Sequence, residues 1–129
     1  MFTATIGLLS LLLATSSSAI EVEKAYVNSF VELKGMEYGM TQERIKFVQK
    51  IIKCESNYKS NVYGDKGKAY SYLQFWRGTF DKFKKEWGHT WLSYDNPEDH
   101  LELGIYAFSK GYDSHWTCSK IVRLQSPTM

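Results

Sequence analysis

The chain carries no block of like charge. Its 16 Lys and Arg stand against 14 Asp and Glu, a net charge of +2, and the two signs are interspersed. That excludes the basic stripe of a nucleic-acid-binding protein, and no nucleic-acid partner is expected. Metal ligands are as scarce. His115 and Cys118 fall at H-x-x-C spacing, but the further ligands that a zinc site needs cannot be identified. No metal and no cofactor are expected. Long apolar runs are also lacking. The run IGLLSLLLA over residues 6–14 is too short to span a bilayer as a helix, and no later segment is apolar enough. There are no internal repeats and no low-complexity linker. A chain of 129 residues is enough for one compact domain and not for two.

What stands at the N-terminus reads as an export signal. The apolar run is followed by TSSSA, and Ser17-Ser18-Ala19 fits a small-x-small cleavage site, although no Lys or Arg precedes the run. The expectation is a signal peptide over residues 1–19, cut after Ala19, with an uncleaved interfacial anchor as the alternative. The mature protein would be secreted or extracytoplasmic, in a periplasm or cell wall, monomeric and without stable membrane insertion. In an oxidising compartment the cysteine pair, Cys54 and Cys118, is most simply a disulfide. Closing so long a loop stabilises by about 4 kcal/mol on the chain-entropy estimate. Four Trp and nine Tyr complete the picture, enough for a dense core or for a groove that binds sugar rings.

Helical spacing organises the rest. Residues 20–31 form a weakly patterned first helix, and Gly35 and Gly39 frame a loop. Thr41 is an N-cap, with Glu43 in the first turn. Ile45, Val48, Ile52 and Glu55 then follow at intervals of three, four and three, one face of a helix. Residues 56–67, rich in Asn, Ser, Gly and Asp, read as loop. Residues 69–75, AYSYLQF, fit either a short strand or a helical turn. Thr79 caps a second helix that carries Phe80, Phe83 and Trp87 on one face and ends at Gly88. Asn96-Pro97-Glu98-Asp99 starts another, with the stripe Leu101, Ile105, Phe108 and a stop at Gly111. Residues 119–129 read as a loose tail. The fold expected is α+β and mainly α, one domain over residues 20–118 with a small irregular or β region after the Glu55 helix.

Glu55 is where chemistry enters. A carboxylate occupies the position at which the apolar face would continue. Glycosidic cleavage needs an acid still protonated near neutral pH, and a free Glu, with a pKa of about 4.3, becomes one when burial raises it. The alternative is a structural Glu that caps or pairs near the helix end. A second carboxylate that activates water would come from Asp65 or Asp95, although Asp before Lys-Gly also simply makes a turn. His89, His100 and His115 read as surface or hydrogen-bonding residues.

The run from Cys54-Glu55-Ser56 through Gly67–Gln74 to Thr79-Phe80, with Asn96-Pro97-Glu98 and Gly104 beyond, resembles the soluble lytic transglycosylase family of the lysozyme-like superfamily. The match covers roughly residues 45–118. The resemblance implies a lysozyme-like fold and cleavage of the β-1,4 bond between N-acetylmuramic acid and N-acetylglucosamine in peptidoglycan strands. It makes Glu55 the catalytic acid and base, and it implies that Ser56 and Gln74 contact substrate. Tyr70, Tyr72 and Trp76, which flank Gln74, are the candidates for stacking on sugar. Two positions depart from the family pattern. Ser71 stands where relatives have Gly, and Ala107-Phe108-Ser109 is the nearest string to the family's Ala-Tyr-Asn, leaving Tyr106 or Tyr112 as substitutes for its tyrosine. These departures keep two alternatives open: a lysozyme-type hydrolase of the same bond, and a non-catalytic wall-binding protein on the same fold.

Overall fold

The structure, a computed structural model, describes residues 2–125, with side chains described from Ser18 onward. The fold is α+β and mainly α, with five helices and a small three-stranded antiparallel sheet. Helix α1 (Phe2–Glu37) is one continuous backbone helix. The leader expected over residues 1–19 falls within this helix apart from Met1, and its side chains before Ser18 lie outside the described residues. From residue 20 onward α1 belongs to the domain: Val27 and Val31 are fully buried, and Gln49 Nε2 donates to the Asn28 carbonyl. Gly35, expected in a loop, lies inside α1, where a Cβ would stand 2.7 Å from Ile45 Cγ1. Its smallness lets α1 close on helix α2 (Gln42–Ser56).

Helix α2 forms as its sequence dictates. The Thr41 side chain accepts from the Arg44 backbone N–H, and Ile45, Val48 and Ile52 are all buried. The helix stops where Asn57 turns left-handed, at a φ of 53°, a conformation that Asn tolerates. The sheet follows: β1 (Tyr63–Gly64), β2 (Ala69–Tyr70) and β3 (Phe75–Trp76), with Tyr63 paired to Tyr70 and Tyr70 to Phe75. The AYSYLQF segment is thus two short strands joined by a turn. Helix α3 (Arg77–Glu86) starts two residues before the expected cap at Thr79, because β3 runs straight into it and Trp76 takes the N-cap position. Helix α4 (Pro97–Ser109) begins as expected, the Asn96 side chain accepting from the Glu98 N–H. Its Gly104 is a packing requirement, since a Cβ there would stand 2.1 Å from Leu73 Cδ1. That close approach seats the sheet's turn on α4.

The C-terminal segment corrects the sequence reading. The expected tail is largely helix α5 (Thr117–Gln125), and residues 126–129 lie outside the described residues. Cys118 and Val122 are buried, and α5 packs on α2. Asp113, itself buried, accepts from both Arg44 on α2 and Arg123 on α5, while Arg44 Nη2 also donates to the Phe108 carbonyl at 2.8 Å. A buried carboxylate without those two guanidinium groups would be costly, so the trio holds the last helix in place. Among the described residues no helix is long and apolar enough to cross a membrane.

Candidate functional site

Glu55 sits in the last turn of α2, half-buried. The disulfide between Cys54 and Cys118 pins that turn to the first turn of α5, with the two Cα atoms 6.0 Å apart. The backbone N–H of Cys118 donates to the Glu55 carboxylate. Three influences set the acid's proton affinity. Burial raises it, the Cys118 N–H opposes that by stabilising the anion, and the negative charge of Asp65 raises it further. The outcome is a carboxyl held above the usual carboxylate range, the direction a general acid requires.

The chain beyond Glu55 is strained. Among the described residues, the six non-glycine positions with positive φ (Asn57, Tyr58, Asp65, Lys66, Ser71 and Gln74) all fall between residues 57 and 74. Asn and Asp tolerate such conformations, whereas at Tyr58, Lys66, Ser71 and Gln74 they persist only where the surroundings over-determine them, as they do at functional sites. Part of that determination is visible. Gln74 Nε2 donates to the carbonyls of Val62, at 3.1 Å, and Ser71, at 2.8 Å. Gly64 leaves room for this side chain, because a Cβ there would stand 2.3 Å from Gln74 Oε1 and displace it. Glu23 of α1 accepts from the Ser60 N–H and the Tyr72 hydroxyl, tying the loop and the turn to the first helix. Trp116 Nε1 donates to the Leu73 carbonyl at 2.9 Å.

The residues expected to touch substrate divide. Trp76 is 45% exposed, and its indole N–H donates to Asp65 Oδ2 at 3.0 Å. Tyr70, half-buried, stacks on Tyr63 with centroids 4.8 Å apart and leans on Tyr94. Tyr72 faces inward: it is 5% exposed, so its ring faces are covered by protein. Ser56 is buried and returns its hydroxyl to the Ile52 carbonyl, and both amide contacts of Gln74 go to the loop's own backbone. Ser56 and Tyr72 support the site from inside, and the half-buried Gln74 braces the loop. Tyr63 and Tyr94 were not among the expected residues. They join Tyr70 and Trp76 in an aromatic surface, Tyr63 through its cross-strand pairing with Tyr70, which the sequence does not signal locally. One cleft of about 360 Å³ opens beside Trp76 and Tyr94, and another of about 530 Å³ beside Cys54 and α5; Glu55 lines neither.

Both sequence departures have a structural meaning. Ser71 adopts a φ of 69°, where glycine is at home, and its hydroxyl is buried without a hydrogen-bond partner among the described residues. Phe108 stacks on Trp116 in the core, with centroids 4.4 Å apart. Tyr106 and Tyr112 both pack on Trp87, and neither is among the groups that act on Glu55. Of the two other acids considered, Asp65 acts on Glu55, whereas Asp95 is largely exposed and pairs with Arg77 at 3.3 Å. His100 is fully buried, its Nε2 bonded to the Tyr94 carbonyl at 2.5 Å, and burial pushes it down to about 4. Among the described residues, no group of three or more His, Cys, Asp or Glu could hold a metal ion. No family model matches the chain, and neither does any curated protein or solved structure.

Proposed function

We propose that the protein is a peptidoglycan lytic transglycosylase that cleaves the β-1,4 bond between N-acetylmuramic acid and N-acetylglucosamine. The observation that carries the reading is the half-buried Glu55 carboxyl at the end of α2, its proton affinity raised by burial against the opposing Cys118 N–H. Glu55 gives its proton to the glycosidic oxygen as the C1–O4 bond breaks. The resulting carboxylate then takes the proton from the 6-hydroxyl of the same muramic acid as O6 bonds to C1. The product is a 1,6-anhydro end, no water is consumed, and Glu55 is protonated again. The chain needs no nucleophile for this sequence, only one carboxyl that changes role. The disulfide supports a site of action outside the cytoplasmic membrane.

A second reading is favoured by one observation, the action of Asp65 on Glu55. In an inverting hydrolase a second carboxylate activates water on the opposite face of the sugar, the two carboxyls standing about 6.5–9.5 Å apart. Asp65 is the group in this chain that could take that part. Digestion of purified sacculi, with the new ends read by mass spectrometry, separates the two. Anhydro ends support the transglycosylase, and hydrolysed ends alone assign the hydrolase.

A further inference from the structure

The cleft beside Trp76 is lined by Gly67, Lys68, Trp76, Arg77, Gly78 and Tyr94, and its only charged walls are the two cations. Each cation lies over an aromatic ring: Lys68 Nζ is 5.3 Å from the Trp76 centroid, and Arg77 Cζ is 4.7 Å from that of Tyr94. Lys68 makes no ion pair among the described residues. Arg77 gives one N–H to the exposed Asp95, leaving further donors of the guanidinium for another acceptor. Asp65 turns to the Trp76 indole N–H instead of lining the cleft.

Gly78 points the same way. It lies within α3, outside the left-handed region, and a Cβ built there meets nothing within 4 Å. Neither backbone conformation nor packing requires glycine, and alanine would suit a helix better. What glycine provides at this wall is room for a ligand to approach the backbone.

We propose that this cleft is a subsite for a sugar ring that bears a carboxylate, the ring against Trp76 and Tyr94 and the carboxylate between Lys68 and Arg77. Aromatic faces take the apolar side of a sugar, and paired cations select the acid. The ligand class rests on the carbohydrate reading of Glu55, to which the cleft is joined through Asp65.

N-acetylmuramic acid and N-acetylglucosamine are the probes. They differ by the 3-O-lactyl ether group that carries the carboxylate, and neither has a glycosidic bond to cut, so binding is measured on the wild-type protein without turnover. Each is titrated while the Trp76 indole N–H resonance is followed by NMR, assigned by its loss in Trp76→Phe. The acidic sugar is expected to bind about fivefold tighter, the worth of a solvent-exposed ion pair. That preference shrinks in Lys68→Gln, is lost when Arg77→Gln is added, and disappears in about 1 M salt, where charges are screened beyond a few ångströms. Gly78→Ala weakens both sugars while raising Tm, an outcome that a purely structural role for Gly78 does not produce. Equal affinities, or a preference unchanged in Lys68→Gln, overturn the subsite. Because no cleavage is measured, this failure is separate from a failure of the sacculus digestion.

Discussion

The backbone N–H of Cys118 donates to the carboxylate of Glu55, and Cys118 is bonded through its sulfur to Cys54, the residue before Glu55. One covalent link therefore fixes both the acid and the group that tempers its proton affinity. The disulfide closes a sequence separation of 64 residues. Replacing both cysteines by alanine is expected to cost about 4 kcal/mol on the chain-entropy model. Urea unfolding of the oxidised protein and of the double variant measures it. A loss under about 1 kcal/mol would mean that α5 is held by the Arg44–Asp113–Arg123 trio alone.

Ser71 should be improvable. Its left-handed backbone and unpartnered buried hydroxyl both disfavour serine. Ser71→Gly removes both costs, less the greater freedom glycine has when unfolded, and is expected to stabilise by about 1 kcal/mol. The check is a higher urea midpoint at unchanged m-value.

The pH dependence of activity follows from the acid's surroundings. Glu55 acts as an acid only while protonated, so activity falls as pH rises through its elevated pKa. Asp65→Asn removes a repelling charge, lowers that pKa, and moves the alkaline limb to lower pH. Under the transglycosylase mechanism the variant stays active at its own optimum. Under the hydrolase mechanism it loses about a hundredfold or more in kcat, the contribution of a general base. Rates on sacculi from pH 4 to 8 distinguish the outcomes.

A second buried group, packed among Tyr70, Phe75, Phe80 and Tyr94, makes stability sensitive to acid. His100 is held neutral, with its pKa lowered from 6.5 to about 4 by burial. Its native state therefore refuses a proton that the unfolded chain accepts. The stability that this histidine contributes is fully present above pH 6.5, is lost as pH falls from 6.5 towards about 4, and does not change further below that. The loss amounts to as much as about 3 kcal/mol at 1.36 kcal/mol per pKa unit. His100→Asn, if it folds, should show a flatter stability profile across that window in urea titrations.

What the sequence made legible was whatever local spacing specifies. Ile45, Val48 and Ile52 mark α2 because one helical face repeats, and Asn96-Pro97 marks α4 because capping chemistry is local. Helix α5 was missed for the opposite reason. Exposed Ile121 and Leu124 blur its stripe, and its place is secured by distant partners, Arg44 and Cys54. The site divides similarly. Glu55 stood out as an acid on an apolar face. That Trp76 faces solvent while Tyr72 turns inward depends on the turn at 71–74, whose positive φ values at Ser71 and Gln74 break the alternation of a strand. Tyr63 and Tyr94 reach the surface through pairing and packing that no local pattern encodes.

Glu55→Gln tests the central claim most directly. The amide keeps the shape and can still accept from Cys118, but it cannot donate a glycosidic proton. Release of fragments from sacculi should fall by about a hundredfold to ten-thousandfold, the usual worth of a general acid. Tm at pH 7 should rise, because a carboxylate whose burial disfavours its charge is replaced by a neutral group, and the gain should vanish below pH 4.5, where the acid is already protonated in both states. Fragment release at the wild-type rate in a folded Glu55→Gln protein would contradict the assignment, and so would wild-type protein that binds sacculi at every pH tried and releases nothing.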